Sequence, residues 1–293
     1  MATDLGMVGV WSGRLQSCTS TEATALVEEW QDLGYGTLWV PESPVAKDVL
    51  TFAAVLLSVS TSLVIATGVA VIWNRDPTTM MNAGRTLAEA YPGRFVLGVG
   101  VSHRDSVEGR GHHYGKPLDA MRSYLQKMDE APYAGVLPAQ PAPRVVAALG
   151  PRMTGLAGEM ADGIHPFLTT PAHTSAVREA LGPDSLIAVE QAVLLSRNED
   201  LARSAARSNL ERYLGWPNYR RHLVRIGFPE FELTNGGSDR LVDALYAYGD
   251  EAAIETRVAE HHEAGADHVC IQVIPVGEMS EAEVLRRMAP VIL

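Results

Sequence analysis

Leu63-Val64-Ile65-Ala66-Thr67-Gly68-Val69-Ala70-Val71 is a short β-branched run, and the way the chain continues from it decides the fold. Asp76-Pro77 offers a capping side chain and a proline for a first helical turn, so a helix is expected over 77–91. The chain then returns to an apolar run, Phe95-Val96-Leu97-Gly98-Val99-Gly100. Strand, helix, strand in that order is the crossover unit of a parallel sheet. The alternation extends both ways. Upstream, strands are expected over 5–10 and 37–40, with helices over 21–33 and 48–57. Downstream, strands are expected over 145–149, 163–166, 186–195 and 268–274, and helices over 118–130, 153–160, 173–181, 201–213, 254–263 and 280–288. Eight such units predict an α/β fold, a (β/α)8 TIM barrel forming a single domain over 1–293. A doubly wound sheet is the alternative, and the near-regular repeat favours closure. Residues 215–249 do not fit the repeat and are expected to form an insertion between helix 7 and strand 8.

The 293 residues carry 24 basic and 35 acidic side chains, a formal charge of −11, and 46% are hydrophobic, enough for a sizeable core. No basic run is present, which argues against a nucleic-acid partner. Cys18 and Cys270 sit in no metal-ligand spacing and fit a reducing, cytoplasmic setting. The uncharged stretch 49–73 is long enough to span a bilayer. However, Ser58, Ser60, Thr61 and Ser62 break it into a helix-like and a strand-like half, so no membrane span is expected. The N-terminal residues lack the basic region of a signal peptide.

In a barrel of this kind the chemistry lies where the strands end. Gly98 and Gly100, two apart, either clear space for a flat ligand or admit close packing. The turn Gly150-Pro151-Arg152-Met153 opens a helix with outward backbone N–H groups beside a positive charge, which suits a phosphate or is a plain turn. His103 is a candidate proton carrier and Glu42 a candidate ligand-orienting acid; each has a structural alternative. Trp11, Trp73, His165, Trp216 and Tyr219 are candidate substrate-lining residues. If helical, the adjacent pairs His112-His113 and His261-His262 diverge by about 100° and cannot chelate together, so no metal is expected.

Five stretches in order carry a family likeness: 33–42 (LGYGTLWVPE), 66–69 (ATGV), 93–100 (GRFVLGVG), 157–163 (AGEMADG) and 264–269 (AGADHV). Through them the chain resembles the luciferase-like monooxygenase superfamily, in particular its branch using the deazaflavin coenzyme F420. The resemblance implies a non-prolyl cis peptide at Gly68-Val69 beneath the middle ring of the coenzyme. It places Gly100, Val101 and Ser102 along the ring and the coenzyme phosphate at Gly150, Pro151, Arg152 and Met153. It also makes His103 the catalytic acid, sets Glu42 near the ring, and implies a homodimer. The implied activity is hydride transfer between the deazaflavin and a small organic substrate at a C=C, C=N or C=O group. FMN-dependent monooxygenation is the alternative, and a non-catalytic flavin- or F420-binding protein a second. Ser43 stands where many relatives have histidine, and 167–170 (FLTT) lacks lysines for a sugar phosphate.

Overall fold

The computed structural model describes residues 3–293, and the strands close on themselves. In chain order the elements are β1 (Val8–Trp11), α1 (Ser20–Asp32), β2 (Thr37–Val40), α2 (Val49–Val59), β3 (Val64–Thr67), β4 (Ala70–Val71), α3 (Pro77–Ala90) and β5 (Phe95–Gly100). Then come α4 (Arg104–Glu108), α5 (Pro117–Asp129), β6 (Arg144–Val146), α6 (Pro151–Met160), β7 (Gly163–Ile164), α7 (Pro171–Leu181) and β8 (Leu186–Leu195). The chain finishes with α8 (Glu199–Leu214), α9 (Pro217–Arg225), α10 (Asp239–Leu245), β9 (Tyr246–Gly249), α11 (Glu251–Glu263), β10 (His268–Val273) and α12 (Glu281–Ile292). All pairings are parallel, in the order β10-β1-β2-β3-β5-β6-β7-β8, and β8 joins β10 to complete the ring. With β3 and β4 counted as one interrupted strand this is the eight-stranded barrel.

Side chains alternate across each strand. Trp39, Ala66, Val96, Val145, Ala188 and Cys270 fill the lumen, whereas Leu38, Ile65, Leu97, Val189 and Ile271 face the helices. Helix starts follow their caps: Asp48 accepts from the Thr51 N–H and Asp76 from the Thr79 N–H, and Thr19 with Glu22 forms a reciprocal capping box. α1 therefore begins at Ser20.

Three expectations are corrected. β6 spans 144–146 rather than 145–149: Ala147 N–H still donates to Val99 O (2.9 Å), and the chain then leaves the ladder before α6 opens at Pro151. The short α4 follows β5 directly. Residues 215–249, expected only as an insertion, hold α9, α10 and a ninth strand. β8 protrudes past the ring, and β9 pairs with its upper half, Ala192 opposite Tyr246 and Leu195 opposite Gly249. β9 uses the same edge that β7 occupies lower down. The N–H groups of Leu186 and Glu190 donate to Asp162 and Pro166, and that of Ser196 to Gly249. The insertion thus leans over the mouth near β7 and β8.

Candidate active site

Between β3 and β4 the Gly68–Val69 peptide is cis. Gly68 N–H donates to Val40 O (2.8 Å), and its carbonyl accepts from Trp11 Nε1 (3.2 Å). The β5 glycines explain how this kink fits. A Cβ on Gly98 would lie 2.0 Å from the Thr67 carbonyl oxygen, and one on Gly100 2.5 Å from Val69 Cγ2. Of the two readings of that glycine pair, close packing against the kinked main chain is the one found. Gly68 and Val69 remain half-buried at the mouth.

The turn after β5 is held from both sides. Trp73 Nε1 donates to Val101 O (3.0 Å) and Tyr114 Oη to Ser102 O (2.9 Å), while Ser102 adopts a left-handed conformation (φ 57°). Trp73, expected to line the substrate space, is thereby given a supporting job through its indole N–H. His103 comes next. Its ring stacks on Trp216 (3.8 Å between centroids, 9°), and Nδ1 lies 3.2 Å from Asn218 Oδ1. An amide oxygen only accepts, so His103 Nδ1 carries the hydrogen and Nε2 the lone pair. Burial holds its pKa below the ordinary histidine value, against smaller opposing effects of Asn218 and Asp105.

Glu42 plays a different part from the one expected. Its carboxylate receives the Val71 N–H (2.6 Å) and both Arg75 terminal nitrogens (2.5 and 3.2 Å), and its side chain is 2% exposed. With both oxygens engaged, it clamps β4 beside the cis bond and has no free oxygen to offer a ligand. Arg75 also bridges to Asp48 (2.5 Å). Sequence reasoning missed Arg75; nothing local to Glu42 points 33 positions onward.

Trp11 and His165 are also placed differently from a substrate lining. Both are buried and lie under Gly68, where an added Cβ would approach Trp11 Nε1 to 2.9 Å and His165 Nε2 to 3.3 Å. His165 stacks on Trp39 (4.3 Å) and donates from Nδ1 to Ala188 O (2.8 Å). Burial takes its pKa to about 4, so it is neutral, with Nε2 an unpartnered acceptor. Trp216 and Tyr219 do form a roof: with Tyr213 and Phe167 they make a tilted and edge-to-face aromatic cluster over the lumen.

Beneath that roof lies Glu190, which sequence reasoning passed over although it is the one charged residue of the β8 run LIAVEQAVLL. Its Oε2 accepts from the Leu168 N–H (3.0 Å), and burial pushes its pKa up to about 8.

The turn after β6 carries more positive charge than its own residues supply. Gly150 caps α6 without a side chain, and Met153 and Thr154 N–H both bond to Gly150 O (3.0 Å each). Met153's N–H is thus spent within the turn, Pro151 has none, and the N–H of Arg152 is left outside the helical ladder. The Arg225 guanidinium, from α9, covers this turn: a Cβ on Gly150 would sit 3.5 Å from its Nη1, and its Nη2 donates to Leu149 O (3.3 Å). Burial and the nearby Arg221 charge hold the Arg225 pKa below its ordinary value. Arg152, Arg221 and Arg225 are exposed and make no ion pair among the described residues, whereas neighbouring Arg220 pairs with Glu230. Arg221 and Arg225 stand four apart on one face of α9, a spacing visible in the sequence once that helix is known.

His112 and His113 lie in the loop between α4 and α5 and not on a helix, while His261 and His262 on α11 go to separate partners. His261 bonds to Gln191 Oε1 (3.0 Å) and Thr174 Oγ1 (2.9 Å), while His262 Nδ1 meets Ala266 O (3.1 Å).

The family profile for luciferase-like monooxygenases matches residues 7–268. The chain belongs to the luciferase-like monooxygenase family. Among curated relatives, a 5,10-methylenetetrahydromethanopterin reductase of Methanolobus tindarius is 27% identical over 147 residues, covering 45% of each chain. An uncharacterized Mycobacterium tuberculosis protein is 28% identical over 207 residues, 57% of this chain and 61% of that one. The chain therefore spans between about half and three fifths of the length of these curated relatives. Among solved structures, an F420-dependent secondary alcohol dehydrogenase in complex with an F420–acetone adduct superposes with a TM-score of 0.76 at 16% identity, covering 100% of both chains. The coenzyme F420-dependent tetrahydromethanopterin reductase of Methanopyrus kandleri gives 0.77 at 15%, covering 98% of each. The EDTA monooxygenase of Chelativorans sp. BNC1 gives 0.74 at 11%, covering 98% of this chain and 93% of that one. At these identities the likeness is one of fold.

Proposed function

We propose that this member of the luciferase-like family is a coenzyme F420-dependent oxidoreductase acting on a small organic substrate. The observation that carries the reading is the cationic turn: Arg152 opens α6, Arg225 lies against Gly150 and Leu149, and Arg221 stands one turn back on α9 within electrostatic reach of Arg225, in a protein of net charge −11. Deazaflavin F420 carries a phosphate and, beyond it, a carboxylate-bearing tail, so three guanidiniums with one free backbone N–H match its chemistry. FMN, which ends at the phosphate, needs fewer.

The other residues fit the same ligand. The half-buried Gly68–Val69 segment and the Gly100–Ser102 turn would border the ring, with Glu42 and Arg75 fixing β4 beneath it. When bound, the deazaflavin supplies or accepts a hydride. The chain must then handle the accompanying proton. His103, neutral and with Nε2 as acceptor, takes a proton from a substrate hydroxyl in the oxidising direction and returns it in the reverse. Asn218 fixes that tautomer, and Trp216 fixes the plane of the ring.

The test is equilibrium binding of the purified protein to F420 and to FMN. Tighter binding of F420 supports the reading; a clear preference for FMN redirects it to the monooxygenase alternative.

A further inference from the structure

β8 carries two buried polar residues side by side, and the fold treats them differently. Gln191 faces the helices and is fully partnered: its Nε2 donates to Ala192 O and Leu245 O, and its Oε1 receives His261 Nε2. Glu190 faces the lumen, 1% exposed, and only half of its carboxyl is used. Oε2 receives the N–H of Leu168, a residue held in the left-handed region (φ 55°), whereas Oε1 is buried and has no partner. A carboxyl oxygen left bare in an apolar interior is costly unless something outside the chain completes it.

The surroundings describe what that partner is. On the same face of β8, Ala188 below Glu190 belongs to the lumen cluster, and Ala192 above it belongs to the roof cluster with Tyr213, Tyr219 and Tyr246. Phe167 packs against both clusters. The ionisable groups in electrostatic reach are Tyr213 from α8, Tyr219 from α9, Tyr246 from β9 and Cys270 from β10, each pushed up by burial and further by Glu190, with Arg212 beside Tyr213. At neutral pH these tyrosines and the cysteine carry no charge, and Glu190 makes no ion pair among the described residues.

We infer that Glu190 is the group that recognises the substrate: as a carboxylic acid it donates from Oε1 to an oxygen of an uncharged, largely apolar molecule held under the aromatic roof. The inference rests on the oxidoreductase reading and adds a substrate class to it. Neutral carbonyl compounds and alcohols qualify; carboxylates do not, because two acidic groups would then meet in an apolar setting. The burial-raised pKa of Glu190 agrees with an acid form at neutral pH.

The test uses the coenzyme-free protein with two probes of matched shape, 2-cyclohexen-1-one and 1-cyclohexene-1-carboxylate, with binding read by ligand-observed NMR and calorimetry. The wild type is expected to bind the enone about tenfold more tightly than the carboxylate, the weight of one hydrogen bond to a buried polar group. Glu190→Gln keeps an acceptor for the Leu168 N–H and a donor for the ligand, so it should retain enone binding. Glu190→Leu should lose about tenfold. Raising the pH from 7 to 9.5 should weaken enone binding to the wild type and leave Glu190→Gln unaffected. Infrared difference spectra of wild type against Glu190→Gln should show a carboxylic acid carbonyl band at pH 7. Equal binding of the two probes, no enone binding, a flat wild-type pH profile or absence of that band overturns the inference. If Glu190→Leu does not fold, the pH profiles of wild type and Glu190→Gln decide. F420 binding with Glu190-independent enone binding overturns this inference alone; Glu190-dependent enone binding without F420 affinity overturns the coenzyme reading alone.

Discussion

Stability should pass through a shallow maximum near pH 7, and two sets of buried groups set its two limbs. His165, His222, His261 and His268 are essentially inaccessible, and burial takes their pKa values to about 4, 3, 3 and 4. In the unfolded chain each titrates near 6.5, so below that pH the unfolded state binds protons that the folded state refuses. Each such histidine removes about 1.4 kcal/mol of stability per pH unit of acidification, about 5 to 6 kcal/mol per unit for the four together. Glu190 acts in the opposite sense. Its folded pKa of about 8 lies above that of a free carboxyl, so the folded state holds a proton the unfolded state has released. Stability is then lost as pH rises, by about 1.4 kcal/mol per unit up to pH 8. Between pH 6.5 and 5 the histidine limb dominates, with a net loss of about 5 kcal/mol, comparable to the whole stability of a marginal domain. Acid unfolding is therefore expected around pH 5. Between pH 6.5 and 8 the two limbs nearly cancel: Glu190 withdraws about 1.6 kcal/mol while the histidines, half-protonated in the unfolded chain at pH 6.5, return about as much. The assay is urea unfolding monitored by circular dichroism at half-unit steps from pH 5 to 8.5, on wild type and Glu190→Gln. The variant should keep the acid limb and, where wild type is nearly flat between pH 6.5 and 8, gain about 1.6 kcal/mol. A wild-type profile that rises between pH 6.5 and 8 as steeply as that of Glu190→Gln refutes the reasoning.

Three further outcomes are expected. Arg225→Ala should weaken F420 binding by about tenfold and lessen its salt dependence, measured by fluorescence titration at two ionic strengths, since one charge-assisted contact to an anion is removed. His103→Asn should lower the rate of hydride transfer by about a hundredfold or more while leaving F420 affinity largely intact, read by stopped-flow absorbance. Arg75→Ala strands the 2%-exposed Glu42 carboxylate, so it should cost about 3 to 5 kcal/mol in chemical denaturation; Arg75→Lys should recover only part, because the bidentate geometry is lost.

The barrel was readable because its signals are local. A run such as Phe95–Gly100, a cap such as Asp76-Pro77 and their alternation need no distant partner. β9 was not readable. Tyr246-Ala247-Tyr248 continues an apolar helical pattern from α10, and only the protruding upper half of β8 gives it an edge to pair with. The site divides along the same line. His103 and the Gly150 turn stood out by position at strand ends, and the structure keeps His103 under Trp216 and the turn beside Arg225. Glu42 stood out too, but its job depends on Arg75, which arrives through the fold. Arg225 reaches the α6 turn, with Arg221 beside it on α9, because the insertion folds back over the mouth, a tertiary event with no local mark. Glu190 was visible as a lone acid in an apolar strand; what it lacked was a reason, which only the contrast with fully partnered Gln191 provides.

The central claim is that the mouth of this barrel takes a deazaflavin whose anionic tail lies on Arg152, Arg221 and Arg225. Titration of the purified protein with reduced F420 and, separately, with reduced FMN tests it most directly, each repeated on a variant with all three arginines replaced by alanine. The account predicts that F420 binds the wild type more tightly than FMN and that the triple variant loses most of that advantage. Tighter binding of FMN, or an F420 affinity indifferent to the three arginines, would contradict it.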